Sequence, residues 1–349
     1  MDVSSGKLRA LKRLADGGGR FKMLAADQRA PLLKMVAERN EGADAYTAVA
    51  DIKALLVETL APDSSAVLID PDYGYSRTEA ILPAHGGMLV TLEDYRFEET
   101  PGGRKMGLQP HWSVAKIKRM GADGVKLLLW YRADASDDVR RHQQALARQV
   151  GEACRACDIP FLLELLIYPL QTAENYTTDY IEDRGKRPEL VLRNLEDFVD
   201  PSFGVDLFKV ETPIPAPMLA DPDDGSDGAR DAQAWFNRIG AVLDRPWVML
   251  SAGASAEQFR RILTYAYRGG ASGYLAGRAI WWQSFLDYPD MAAVERGFRG
   301  ESRAYMAAIN KLTDDAARPW TESRVFGGKA DLADAGQDFP ERYAGFGDS

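Results

Sequence analysis

Eight short apolar runs, each followed by an amphipathic stretch, constrain this chain of 349 residues more than any other feature. They are FKMLAA (21–26), AVLID (66–70), MLVTLE (88–93), GVKLLLWY (124–131), PFLLELLIY (160–168), DLFKVE (206–211), WVMLSA (247–252) and GYLAG (273–277). Between them lie helix patterns such as DAYTAVADIKALLVETLA, WSVAKIKRMGA, RPELVLRNLEDFV, AQAWFNRIGAVL and AEQFRRILTYAYRGGA. This alternation is the signature of repeated βα units. Eight such units need about 250 residues, so the expected fold is an α/β (β/α)8 (TIM) barrel with an N-terminal helix, longer loops and a C-terminal extension. A doubly wound open sheet is the alternative, but ADQRAPL follows the first strand where a GxGxxG fingerprint would be needed. The reading assigns residues 1–325 to one barrel domain and 326–349 to a tail. The tail has no clear period and is expected to pack on the barrel or on a neighbouring subunit of a homo-oligomer, with frayed order as the alternative. The acidic stretch 220–232, ADPDDGSDGARDA, reads as a solvated loop after strand six.

Composition removes several classes of function. With 46% apolar and 27% charged residues the chain is globular, and neither disordered nor a disulfide scaffold. Asp and Glu exceed Lys and Arg by 52 to 43, which leaves no basic surface for a nucleic acid. A small anion can still bind where a few cations and backbone N–H groups are concentrated. No window approaches the roughly 18 apolar residues of a membrane span, and the opening segment has no apolar signal region, so no membrane partner and a cytoplasmic location are expected. Cys154 and Cys157 close a helix pattern instead of opening one, which reads as two inert thiols. His85, His111 and His142 are dispersed, so no zinc site is expected, and the chemistry falls to Lys, Asp, Glu and Arg without metal or cofactor.

In a barrel the active site lies at the C-terminal ends of the strands, which gives weight to ionisable residues within or ending the apolar runs. Four stand out: Asp27, Lys126, Glu164 and Lys209. Taken singly, each reads equally well as half of a buried ion pair that fixes the fold. Together they form a set in which one desolvated lysine beside a second cation is activated as an amine nucleophile toward a carbonyl. A neighbouring glutamate then moves protons while the carbinolamine forms and collapses, and the alternation of strands places Glu211 on the same face as Lys209. Strands seven and eight add an anion site, with Ser251 and Gly253 after the first, Gly277 and Arg278 after the second, and a helix pattern following each.

The segments AADQRAPL, LIDPDYG, WSVAKIKRMGADGVKLLLWY, CDIPFLLELLIY, DLFKVETPI, LSAGASAEQF and GRAIW resemble, in order and from about residue 5 to 325, the class I tagatose 1,6-bisphosphate aldolases. The resemblance implies a barrel in which Lys209 is the Schiff-base lysine and Glu164 the acid/base group, with Lys126 and Asp27 beside them. It matches Gln28 to the family's DQR, and Ser251, Gly253, Gly277 and Arg278 to its phosphate loops. Arg29 is offered for the remote anion, against the alternative that an exposed arginine ending a strand is solvated or paired at the surface. The implied activity is reversible cleavage of a ketose 1,6-bisphosphate, tagatose 1,6-bisphosphate first, to dihydroxyacetone phosphate and glyceraldehyde 3-phosphate. Aldolases of 6-deoxy-6-sulfofructose 1-phosphate share the lysine machinery and are the alternative substrate class. A sugar-phosphate-binding regulatory protein without turnover is the alternative of another kind. The tail and the stretch 220–232 lie outside the resemblance.

Overall fold

The computed structural model describes residues 2–179, 183 and 185–345. All eight apolar runs form strands: β1 (Phe21–Ala25), β2 (Ala66–Ile69), β3 (Gly87–Thr91), β4 (Gly124–Trp130), β5 (Phe161–Leu166), β6 (Leu207–Val210), β7 (Trp247–Met249) and β8 (Gly273–Ala276). Each pairs in parallel with its neighbours in chain order, and β8 closes on β1 to complete the barrel. The helices expected between the strands are present, among them Ala45–Leu60, Val114–Arg119, Pro188–Glu196 and Ala256–Arg268. No helix among the described residues is long and apolar enough to cross a membrane.

Because successive strand residues point to opposite faces, the apolar core divides in two. One cluster fills the barrel and contains Met23, Leu68, Leu89, Leu162, Val248 and Leu275. Residues of the other parity, such as Leu24, Val67, Val125, Leu163, Phe208 and Tyr274, join the helices in the outer cluster. Leu11 and Leu14 of the N-terminal helix Ser5–Leu14 belong to the inner cluster, so that helix plugs the end of the barrel opposite the active-site mouth. The barrel is therefore a packed core and not a pore, and polar chemistry is confined to its upper layer.

Three features depart from or add to the sequence pattern. A hairpin, Glu93–Thr100 paired with Gly103–Leu108, follows β3 and carries Tyr95 and Phe97 to the mouth. Its Arg104 is fully buried against the rings of Phe97, Trp130 and Tyr168 and donates to the Thr177 carbonyl. The stretch 220–232 is a loop only at its start. The Ser226 hydroxyl accepts from the Ala229 amide at 3.1 Å and caps a helix, Asp227–Val242, that begins inside the acidic segment. In the tail, Asp331–Leu332 pairs in parallel with Asp2–Val3, and Phe326 packs edge-on against Trp320.

The two chain ends meet at Asp158. Its carboxylate accepts from the amides of Gly6 at 2.6 Å and Lys7 at 3.1 Å, in the first turn of the N-terminal helix, and from the hydroxyls of Ser4 and Tyr343. Burial works against the charge, but these four donors outweigh it and hold the carboxyl below the usual aspartate range. A lowered folded-state value means that the stabilisation is complete above about pH 4 and is lost as pH falls further. Asp158→Asn is therefore expected to lower stability by roughly 1–2 kcal/mol at pH 7, allowing for solvent at this half-buried site. Urea denaturation of both proteins should show the difference closing toward pH 3; a gap that stays constant with pH would assign the effect to shape alone.

Candidate active site

Strand parity and register bring the ionisable residues together. Glu164 of β5 is paired with Lys209 of β6 and with Leu128 of β4, so Lys126 stands one inward position below on the adjacent strand. A single oxygen, Glu164 Oε2, lies 3.0 Å from Lys209 Nζ and 3.0 Å from Lys126 Nζ. Asp27, two residues beyond the inward-facing Ala25, places Oδ2 3.1 Å from the Lys126 ammonium. Asp27, Lys126, Glu164 and Lys209 thus form one buried cluster at the C-terminal mouth, where the sequence reading puts them.

A fifth member was not singled out. Glu93 follows β3 and is 1% exposed, with Oε1 2.9 Å from Lys126 Nζ and 3.4 Å from Arg29 Nη2, and with Oε2 accepting the Leu128 amide at 3.1 Å. Its signal was present, since Glu93 ends the run MLVTLE as Asp27 ends the first. Burial disfavours the Lys126 charge, but Glu164, Glu93 and Asp27 together hold this ammonium well above the ordinary lysine range. Burial likewise opposes ionisation of Asp27, yet Lys126, Lys209 and Arg29 keep its carboxyl well below the usual carboxylate range. Lys126 is therefore a fixed cation, and Asp27 a fixed anion, at neutral pH.

Arg29 is not the exposed strand-end arginine that the sequence alternative supposed. It is 4% exposed, its Nη1 is 3.1 Å from Asp72 Oδ2, and its guanidinium lies 5.0 Å from the centre of the Tyr95 ring. The carboxylates of Glu93, Asp70 and Asp27 offset its desolvation and raise its already high pKa. A small cavity of about 70 Å³ opens here, bounded by Gln28, Arg29, Lys126, Tyr95, Phe97 and Trp130. Asp27 Oδ1, Gln28 Oε1 and Arg29 Nε are buried at its edge without a hydrogen-bond partner among the described residues. Buried polar atoms of this kind are unusual away from a ligand site.

A second cavity, about 430 Å³, shares Ala30, Pro31 and Thr178 with the first and is bounded by Lys34, Arg278 and Trp282. Arg278 opens the helix Arg278–Phe285 just after Gly277. A Cβ on Gly277 would fall 2.5 Å from the Ala25 carbonyl and 2.8 Å from Gln28 Nε2, so only glycine allows β8 to approach β1 this closely. After β7, Ala252 and Gly253 both have positive φ (47° and 88°), and a Cβ on Gly253 would stand 3.3 Å from Arg278 Nη1. The turn, in which Ser251 O accepts the Ala254 amide at 2.7 Å, thereby brings its backbone beside the guanidinium. Glu211, two residues beyond Lys209, accepts the Ile167 amide at 2.8 Å and pairs with Lys186 at 2.9 Å.

A closed (β/α)8 barrel with two lysines on one carboxylate at its mouth, and a guanidinium beside the loops after β7 and β8, has the groups that an imine-forming aldolase needs, and the comparisons identify the class as class I aldolase. Residues 21–283 match the family model described as DeoC/LacD family aldolase. The chain is 31% identical over 328 residues to tagatose 1,6-diphosphate aldolase 2 of Streptococcus agalactiae, covering 92% of this chain and 99% of that one. Among solved structures it shares the fold of fructose-bisphosphate aldolase from Plasmodium falciparum, with TM-score 0.65, 14% identity, and 91% and 98% of the two chains covered. A Schiff-base-forming fructose-1,6-bisphosphate aldolase matches with TM-score 0.52 at 15% identity, covering 88% of this chain and 99% of that chain. The chain belongs to the DeoC/LacD aldolase family.

Glu93→Gln keeps the side-chain shape and an acceptor for the Leu128 amide, but leaves Lys126 with two carboxylates in place of three. Turnover is expected to fall by roughly 10- to 100-fold through misplacement of Lys126 and Arg29, with the fold retained. Steady-state kinetics beside a melting curve checks this; an unchanged kcat would separate Glu93 from the chemistry.

Proposed function

We propose that this aldolase cleaves tagatose 1,6-bisphosphate to dihydroxyacetone phosphate and glyceraldehyde 3-phosphate, with Lys209 as the nucleophile. The observation that carries the assignment of roles is Glu164 Oε2 within 3.0 Å of both Lys209 Nζ and Lys126 Nζ. Lys126, held as a cation by its three carboxylates, is the permanent partner of that oxygen, which leaves Lys209 as the lysine that reacts. The Lys209 amine adds to the C2 carbonyl, and Glu164 delivers the proton with which the carbinolamine hydroxyl leaves as water. The protonated imine then draws in the electrons of the C3–C4 bond while the C4 hydroxyl gives up its proton. Glu164, left as a carboxylate by that dehydration, takes this proton, and Asp27 accepts the hydrogen bond that orients the hydroxyl, because its Oδ1 is buried beside the cavity without a hydrogen-bond partner among the described residues. Protonation of the enamine at C3 and hydrolysis through Glu164 release dihydroxyacetone phosphate.

The substrate is held at both ends. Arg278, with the backbone after β7 and β8, receives the phosphate of the ketose C1 end, where charge-assisted hydrogen bonds contribute about 1.5–3 kcal/mol each. Arg29 receives the remote anion through its Nε, which has no hydrogen-bond partner among the described residues. The relatedness to a tagatose 1,6-diphosphate aldolase over nearly the full length of both chains supports the choice of sugar. No step needs a metal or cofactor, and the reading places the enzyme in the cytoplasm.

The test is kcat/KM measured side by side, in EDTA, on tagatose 1,6-bisphosphate, fructose 1,6-bisphosphate and 6-deoxy-6-sulfofructose 1-phosphate. The highest value is expected on tagatose 1,6-bisphosphate. A preference of tenfold or more for the sulfonate would transfer the assignment to that substrate class, and turnover abolished by EDTA would contradict the imine route.

A further inference from the structure

Lys53 has no part in the chemistry above, yet it is 1% exposed, on the helix Ala45–Leu60 that packs outside the barrel. Its ammonium donates to the Ala26 carbonyl at 2.7 Å and to the carboxylate of Asp70, which is itself 0% exposed. Ala26 directly precedes Asp27, Gln28 and Arg29, and Asp70 directly follows β2. The second oxygen of Asp70 accepts the Tyr73 amide at 2.8 Å, and its carbonyl accepts the Tyr75 amide at 3.0 Å. The turn made in this way carries Asp72 to Arg29 Nη1 at 3.1 Å and to Gln109 Nε2 at 2.8 Å. One ion pair, reached from behind the sheet, thus joins the ends of two adjacent strands, the first continuing into Asp27, Gln28 and Arg29, which bound the active-site cavity, and the second into Asp72, a partner of Arg29.

Stability does not account for this arrangement. The strand ends are already joined by the Ala26 amide on the Leu68 carbonyl at 2.8 Å. Burial pulls the Lys53 ammonium below the ordinary lysine range in spite of Asp70 beside it. Apolar side chains of similar volume often replace a buried pair with no loss of stability, whereas removing one partner strands a charge. The pair also interacts electrostatically with the site, since Lys53 feels Asp27 and Arg29, and Arg29 feels Asp70.

We propose that the Lys53–Asp70 ion pair is a positioning device for the active site, setting the backbone at Ala26 and the turn that carries Asp72 so that Asp27, Gln28 and Arg29 face the cavity. The inference rests on the aldolase reading of those three residues. Three variants test it: Lys53→Met, Asp70→Asn, and the two combined. Lys53→Met alone should lower Tm by roughly 5–10 °C, through the carboxylate it strands. In the double variant Tm should recover most of that loss, while kcat per folded molecule stays about 10- to 100-fold below wild type, the scale expected for a displacement of about 1 Å. KM should change by less than kcat. Hydrogen exchange of a peptide covering residues 24–33 should be faster in the double variant than in wild type. Should the double variant fold poorly, Asp70→Asn decides, because it keeps the acceptor for Tyr73 and is expected to reduce kcat about tenfold with an intact near-UV circular dichroism spectrum. Wild-type kcat and unchanged exchange in a folded variant would overturn the proposal and leave the pair a structural one. Absence of turnover in the wild-type enzyme would instead contradict the aldolase reading, and the exchange measurement would still decide whether the pair positions the strand.

Discussion

A single carboxylate oxygen shared by two buried lysines is the constraint on which the rest of this structure depends. Two lysine Nζ atoms lie 3.0 Å from Glu164 Oε2, and the low dielectric of the barrel interior magnifies every charge interaction among them. The arrangement survives because Asp27 and Glu93 also surround Lys126, and because Arg29 and the Leu128 amide occupy the remaining acceptor positions of Glu93. Removing one member leaves another as an uncompensated buried charge, which is why the cluster behaves as a unit. Lys126 spends its charge on the cluster, and in the proposed mechanism Lys209 is the group with chemistry to perform.

The barrel supplies what such a cluster requires. Parallel strands in fixed register put Lys126, Glu164 and Lys209 on the inward face of three adjacent strands, a few ångströms apart, without any of them belonging to a loop. Beneath them the interior is filled by Met23, Leu68, Leu162, Val248 and Leu275, with the N-terminal helix closing the far end. Above them the loops add the ring face of Tyr95 on Arg29 and the turn after β7 beside Arg278.

The eight strands were legible because each is a short apolar run followed by an amphipathic helix, and no other element produces that alternation so regularly. The four central ionisable residues were legible for the same reason: a charge inside an apolar run is conspicuous. Glu93 carried an equal signal as the last residue of its run, and its importance became visible only when Lys126 was seen to need a third carboxylate. The hairpin 93–108 was not legible, because YRFEETPGGRKMG is largely polar and its apolar residues, Tyr95, Phe97 and Met106, are too sparse to show a period. For that reason the burial of Arg29 was missed as well, since Tyr95, which covers it, comes from the hairpin. The early start of the helix Asp227–Val242 was hidden within an acidic, glycine-containing stretch where a serine cap outweighed composition. Lys53 could not be recognised, because one lysine in a helix that also carries Asp51 and Glu58 looks like a surface position until the partner strand is placed.

The central claim is that Lys209, and not its neighbour Lys126, forms the imine. Reduction with borohydride in the presence of dihydroxyacetone phosphate, followed by peptide mass spectrometry, tests it directly. The account predicts substrate-dependent inactivation with a single adduct on the peptide containing Lys209. An adduct on Lys126 alone, or full activity with no adduct, would contradict it.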